Sequence, residues 1–196
     1  EGHELYCSGH LIEAACTYYE ATGKRKLLDI AVKNAECIYD RFVMQNTEGI
    51  PGHPEIELAL LRLYRLTENK HFLELAQKFI NERGKAPDFW AREAKKRSWS
   101  VWNSDPWGND YRQSAKPVRE QTEAVGHAVR AVYLYTGMAD LAAETEDKEL
   151  FAACRRLWEN IVHRKMYITG GIGSTVQGEA FTVDYDLPPD TAYSET

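Results

Sequence analysis

Apolar residues return at helical spacing through most of the chain, as in Leu28, Ala31, Ala35, Ile38 and Phe42, or Phe72, Leu75, Ala76, Phe79 and Ile80. The pattern predicts an all-α fold. It places helices over 3–21, 25–43, 54–66, 70–82, 117–136 and 147–164, with a seventh beginning near 191. Gly23, the run GIPGHP at 49–54, and Gly84 separate them. Pro54 suits a helix start, because the first turn leaves its amide position unpaired anyway.

A repeat organises these helices. Thr22, Leu28 and Ala31 have the spacing of Thr67, Leu73 and Ala76, and more loosely of Thr145, Phe151 and Cys154, with Tyr19 and Tyr64 preceding the first two threonines. Each copy reads as helix, tight turn, helix. Such hairpins cannot bury their apolar faces alone and must stack on neighbours, in an α-solenoid or a closed α/α toroid.

The two helices of the first hairpin differ in their polar faces. The second carries Lys24, Arg25, Lys26, Asp29, Lys33, Glu36 and Asp40, a face for bulk water. The first sets His3, Tyr6, His10, Glu13 and Thr17 on one stripe, opposed to Leu5, Ile12, Ala15 and Tyr19. Short hydrogen-bonding groups without lysine suit a cavity wall. A second stripe, Glu120, Glu123, His127 and Arg130, repeats the idea. Both stripes also fit a partly exposed face with satisfied histidines. Between Gly84 and Lys116 the periodicity breaks into a long segment holding Trp90, Trp99, Trp102 and Trp107. It reads either as a saccharide-binding rim or as a loop anchored by buried indoles.

Composition narrows the partners. A formal charge of -6 and an isoelectric point near 5.6 argue against a phosphate-binding surface, which needs clustered Lys and Arg. No nucleic-acid partner is expected, and the short basic run AREAKKRSWSVW reads as a solvated loop. No apolar stretch approaches the length of a membrane span, so no membrane partner is expected either. No secretory pattern precedes the first helix, and the expected compartment is cytoplasmic. Cys7, Cys16, Cys37 and Cys154 show neither metal nor disulfide spacing, and three of them read as reduced core residues.

TGGIGS at 169–174 fails as a dinucleotide motif, because Val176 stands where the last glycine belongs and no βαβ context surrounds it. Downstream, Phe181, Val183 and Tyr185 alternate with Thr182 and Asp184, and Met166, Tyr167 and Ile168 are β-prone. A small β-hairpin carrying Glu179 is predicted over 165–186.

Taken in order, GHELYCSGHLIEAA, GHPEIELALLRLYRLT, PVREQTEAVGHAVRAVYLYTGMADLA, RKMYITGGIGS, GEAF and LPPDTAYSET resemble glycoside hydrolase family 127, whose characterised members are β-L-arabinofuranosidases. The resemblance spans nearly the whole chain. It implies an (α/α)6 toroid as catalytic domain and a retaining mechanism with a zinc-held cysteine thiolate as nucleophile. By motif position, Glu179 matches the family's general acid/base and Glu195 a zinc ligand. His53 and His127 match sugar-contacting histidines, and one of His3 or His10 matches a third, with His3 favoured because it begins the helix. A general acid must stay protonated near neutral pH, which burial achieves, and zinc keeps a thiol ionised.

One departure from the family's pattern matters. The family's zinc-binding cysteines follow the Glu-Thr pair, and none of the four cysteines here occupies those positions. Residues 1–196 are therefore expected to be part of one toroid domain, with the Trp-rich insertion at 84–116. The expected substrate is a small saccharide or arabinofuranosyl glycan. The complete enzyme would use zinc, and the isolated chain would be inactive. Rival readings are another α/α-toroid enzyme, such as an unsaturated glucuronyl hydrolase or a sugar epimerase, and a carbohydrate-binding module without catalysis.

Overall fold

The computed structural model describes residues 3–96 and 108–194. Eight α-helices follow one another among them: α1 (Glu4–Thr22), α2 (Lys26–Tyr39), α3 (Ile56–Thr67), α4 (Lys70–Glu82), α5 (Phe89–Lys96), α6 (Gly108–Tyr111), α7 (Ala128–Thr145) and α8 (Lys148–Asn160). Short π turns extend α2 over Asp40–Met44 and α8 over Ile161–Lys165. None of the described helices is long and apolar enough to cross a membrane.

The threonine repeat marks the three hairpin turns. Thr22, Thr67 and Thr145 each close their helix, with Oγ1 donating to the carbonyl four residues back, of Tyr18, Leu63 and Leu141, at 2.6, 2.7 and 2.7 Å. The next residues, Gly23, Glu68 and Glu146, are left-handed caps whose N–H groups return to Tyr19, Tyr64 and Ala142. Asn69 and Asp147 then cap α4 and α8 with side-chain oxygens.

α3 packs between α1 and α7, forming an inner layer, while α2, α4 and α8 return on the outside. Two glycines allow the inner helices to approach. A Cβ on Gly9 of α1 would lie 2.9 Å from the Cα of Ile56, and one on Gly137 of α7 would lie 3.1 Å from the Cβ of Glu57. Ile12, Leu60, Leu63, Phe72, Phe79 and Leu134 fill the main core between the layers. α8 leaves Phe151 and Trp158 exposed.

Four expectations are corrected. The helix expected over 117–136 begins only at Ala128 and continues to Thr145. Pro117 opens a single 3-10 turn, and Gly126, in the left-handed region, passes so close to the Asp110 carbonyl that no Cβ fits. Glu120 and Glu123 therefore do not share a helical stripe with His127. The predicted hairpin is absent among the described residues: 165–186 forms turns tied by isolated antiparallel bridges, Met166 with Ile172 and Thr175 with Ala180. Phe181 is buried while Val183 and Tyr185 are exposed, so the alternation does not mark one covered face. Buried Lys165 holds this loop by donating to Glu123 and to the Thr182 carbonyl. No helix begins over 191–194, and the last two residues lie outside the described range. The basic run is helical, not a loop, as far as Lys96.

The cysteines split. Cys16 is buried and Cys154 half-buried, and burial raises both thiols to about 11, whereas Cys7 and Cys37 are exposed. Trp90, in the first turn of α5, is buried against the 111–114 turn, its indole N–H donating to Ser114 Oγ at 2.9 Å under the Arg112 guanidinium. It anchors its segment. Trp99, Trp102 and Trp107 lie outside the described residues.

Candidate active site

The starts of the three inner helices bring three histidines together. His3 precedes α1, His53 lies in the loop entering α3, and His127 caps α7. Their rings form a row, His3 to His53 at 5.6 Å and His53 to His127 at 5.8 Å between centroids. His10, two turns into α1, joins through Tyr6 at 4.4 Å and Tyr133 at 6.0 Å. The helix N-termini add positive dipole ends to this wall.

Two hydrogen bonds fix the polarity of the inner rings. His53 Nδ1 faces the Pro54 carbonyl at 2.7 Å and must donate to it, which leaves Nε2 as an acceptor. Burial depresses this imidazole to about 3, so it stays neutral. At His127 the polarity is reversed. Nδ1 accepts the Arg130 N–H as a helix cap at 3.4 Å, so Nε2 carries the proton and donates to Glu179 Oε2 at 3.0 Å.

Glu179 is held there by its backbone. Its carbonyl accepts the Ala128 N–H at 3.0 Å, and Phe181 N–H donates to the Gly126 carbonyl at 2.9 Å, stitching the loop to the start of α7. Glu179 adopts a left-handed φ of 50°, a strained conformation for a non-glycine residue that turns the side chain towards His127. Its side chain is 42% exposed. Low-dielectric cover of the kind a general acid needs is not supplied by the described residues.

Beneath the rings lies a polar layer of which the sequence pattern marked only Arg130. Arg83, fully buried, donates to the Pro51 and Arg112 carbonyls at 2.8 and 2.9 Å and pairs with Glu57 at 3.4 Å. Glu57 in turn accepts the Glu55 N–H, so this network sets the loop that carries His53. Arg130 stacks on Tyr111 at 4.7 Å and donates to the Gly52 carbonyl, with burial lowering it to about 10. Arg83 stood beside a predicted helix break, and Glu55 carried no reading of its own within its motif. Arg130 shares a predicted stripe with His127, and Tyr133 was findable because it lies on the same face of α7. A cavity of about 570 Å³, lined by Tyr6, His53, Phe42, Trp90, Arg41 and Lys96 among others, opens beside His53 and is large enough for saccharide units.

The metal expectation finds little here. Among the described residues no group of three or more His, Cys, Asp or Glu side chains is placed to hold a metal ion. Glu195 lies outside them. The chain just before it passes close to the site, for the Tyr193 carbonyl lies 2.9 Å from where a Gly173 Cβ would stand, a position also in contact with Ala128.

A family model described as β-L-arabinofuranosidase, GH127 catalytic domain, matches residues 1–196. The chain belongs to this family. A curated non-reducing end β-L-arabinofuranosidase from Bifidobacterium longum subsp. longum is 45% identical over 205 residues, covering 100% of this chain and 30% of its own length. The crystal structure of a GH127 β-L-arabinofuranosidase from Geobacillus stearothermophilus T6 superposes with a TM-score of 0.90 at 51% identity, over 99% of this chain and 31% of that one. A second GH127 β-arabinofuranosidase structure gives a TM-score of 0.83 at 45% identity, over 98% of this chain and 28% of that one. This GH127 chain thus spans less than a third of the relatives it matches.

Proposed function

We propose that this GH127 chain contributes the proton-transfer and sugar-binding side of a site that releases terminal β-L-arabinofuranose. The observation that carries the reading is the Glu179–His127 contact at 3.0 Å, set beside the row of His53 and His3 rings. Glu179, as general acid, gives its proton to the glycosidic oxygen as the C–O bond breaks. The His127 Nε2–H then stabilises the carboxylate left behind. In the second half of a retaining reaction the same carboxylate takes a proton from the attacking water. His53 Nε2, an acceptor held neutral by burial, takes a hydrogen bond from a sugar hydroxyl, and His3 and His10 supply further contacts.

The family resemblance adds a zinc-held cysteine nucleophile, with Glu195 as one proposed metal ligand. The described side chains do not form that donor set, so no step is assigned to it here. The test is arabinose release from an aryl β-L-arabinofuranoside by a protein extended to the length of the relatives. Turnover in the parent and its loss in Glu179→Gln supports the reading. A parent that binds the sugar without turnover overturns it in favour of a binding module. The 196-residue chain alone is expected to release no arabinose.

A further inference from the structure

One buried acid in the wall is used by none of these steps. Glu55, at the entry to α3, is only 1% exposed, and its Oε2 lacks a hydrogen-bond partner among the described residues. It is wedged against α1, where a Gly9 Cβ would fall 1.4 Å from that oxygen. The other oxygen, Oε1, faces Nδ1 of His10 at 3.6 Å, a gap that a small rotation of the 45% exposed His10 ring closes to a hydrogen bond.

The charged and titratable groups around Glu55 disfavour its carboxylate. Glu13 and His10 face it from α1, Tyr133 from α7, and Glu57 from its own side, with Arg62 drawn to Glu13 and Arg83 to Glu57. Two acids without a cation of its own leave the neutral carboxyl as the stable form.

We propose that Glu55 is a positioning residue that sets the tautomer of His10, its carboxyl proton donated to Nδ1 so that Nε2–H points outward as a donor. The wall then presents two imidazoles of opposite polarity on the shared Tyr6 ring, each with its centroid 4.4 Å away, His53 accepting and His10 donating. Two hydroxyls of one saccharide match that pair, since one can donate and the other accept. This consequence rests on the saccharide reading above; the tautomer itself does not.

Burial and the two acids raise Glu55 to about 8. Above that pH it loses its proton to solvent and can only accept. The single proton of His10 then moves by exchange with water from Nε2 to Nδ1, and the outward donor becomes an acceptor. The pattern at His53 does not change, because the Pro54 carbonyl can never donate.

Nitrogen NMR of the histidine-labelled chain, recorded from about pH 7 to about pH 9.5, reads this directly. The expected result is an Nε2-protonated His10 at neutral pH that shifts towards Nδ1 protonation with a midpoint near 8, while His53 stays Nδ1-protonated throughout. A His10 already Nδ1-protonated at neutral pH, or one without a pH-dependent change, overturns the proposal. Glu55→Gln supplies an amide donor at every pH, so His10 remains Nε2-protonated across the range. The same midpoint in that variant also overturns it. Adding L-arabinose separates the two readings: a tautomer change that persists while the sugar perturbs neither His10 nor His53 counts against the saccharide reading alone.

Discussion

Replacing Gly9 with alanine probes the closest approach in the inner layer. The added Cβ would fall 1.4 Å from Glu55 Oε2, 2.6 Å from its Cδ and 2.9 Å from the Cα of Ile56. Glu55 is 1% exposed and cannot swing into water, and the Ile56 contact is backbone, so α1 and α3 must separate. Overpacking of this kind costs about 1–3 kcal/mol, and more when backbone is displaced. Alanine returns about 1 kcal/mol of helix propensity. The net expectation is a loss of about 2 kcal/mol in urea unfolding followed by circular dichroism. The double variant with Glu55→Ala removes two of the three clashes, so it should be more stable than the sum of the single changes by about 1–2 kcal/mol. A Gly9→Ala variant as stable as the parent, or strict additivity in the cycle, refutes this account of the α1–α3 contact.

Two buried titrations oppose each other in the same layer. His53 is depressed from 6.5 to about 3, so the unfolded chain binds more protons between those values and stability falls as the pH drops through them. Glu55 is raised from 4.5 to about 8, so the folded chain holds the extra proton and stability falls as the pH rises through that window. Between 4.5 and 6.5 the slopes, about 1.4 kcal/mol per pH unit each, cancel. His53→Gln should therefore expose a fall of about 3 kcal/mol across this interval in urea titrations, whereas a flat profile in the variant counts against it. At the hairpin turns, Glu146 occupies an exposed left-handed cap where the first hairpin has Gly23. Glu146→Gly should raise stability by about 0.5–1 kcal/mol, and a loss of similar size in thermal or urea unfolding contradicts the cap assignment.

The hairpins were legible because each turn combines a closing threonine with a following apolar helix, a local signal that needs no tertiary information. The limits of α7 were not. Residues 117–127 carry apolar and acidic spacing that fits a helix, but the crossing of Gly126 over the Asp110 carbonyl prevents one. The helix expected to end at 136 instead runs on through Gly137, which sits against Glu57 of α3, a contact visible only once the helices are packed. His53 and His127 could be picked out from their places before helix starts, and Glu179 from its motif. Glu55 and Arg83 could not, because a charged residue carries no sequence mark of burial; theirs comes from three helices meeting over the 51–57 loop. The hairpin expected around Glu179 failed for a related reason: that loop is held by Lys165, Asn160 and the start of α7 rather than by a strand ladder.

The central claim is that Glu179, oriented by His127, moves the proton in glycoside cleavage. The most direct measurement is turnover of an aryl β-L-arabinofuranoside by the full-length protein and its Glu179→Gln variant, with sugar binding measured in parallel. The account predicts a fall of about 10²–10⁴-fold in kcat with binding retained. Unchanged turnover in the variant contradicts it.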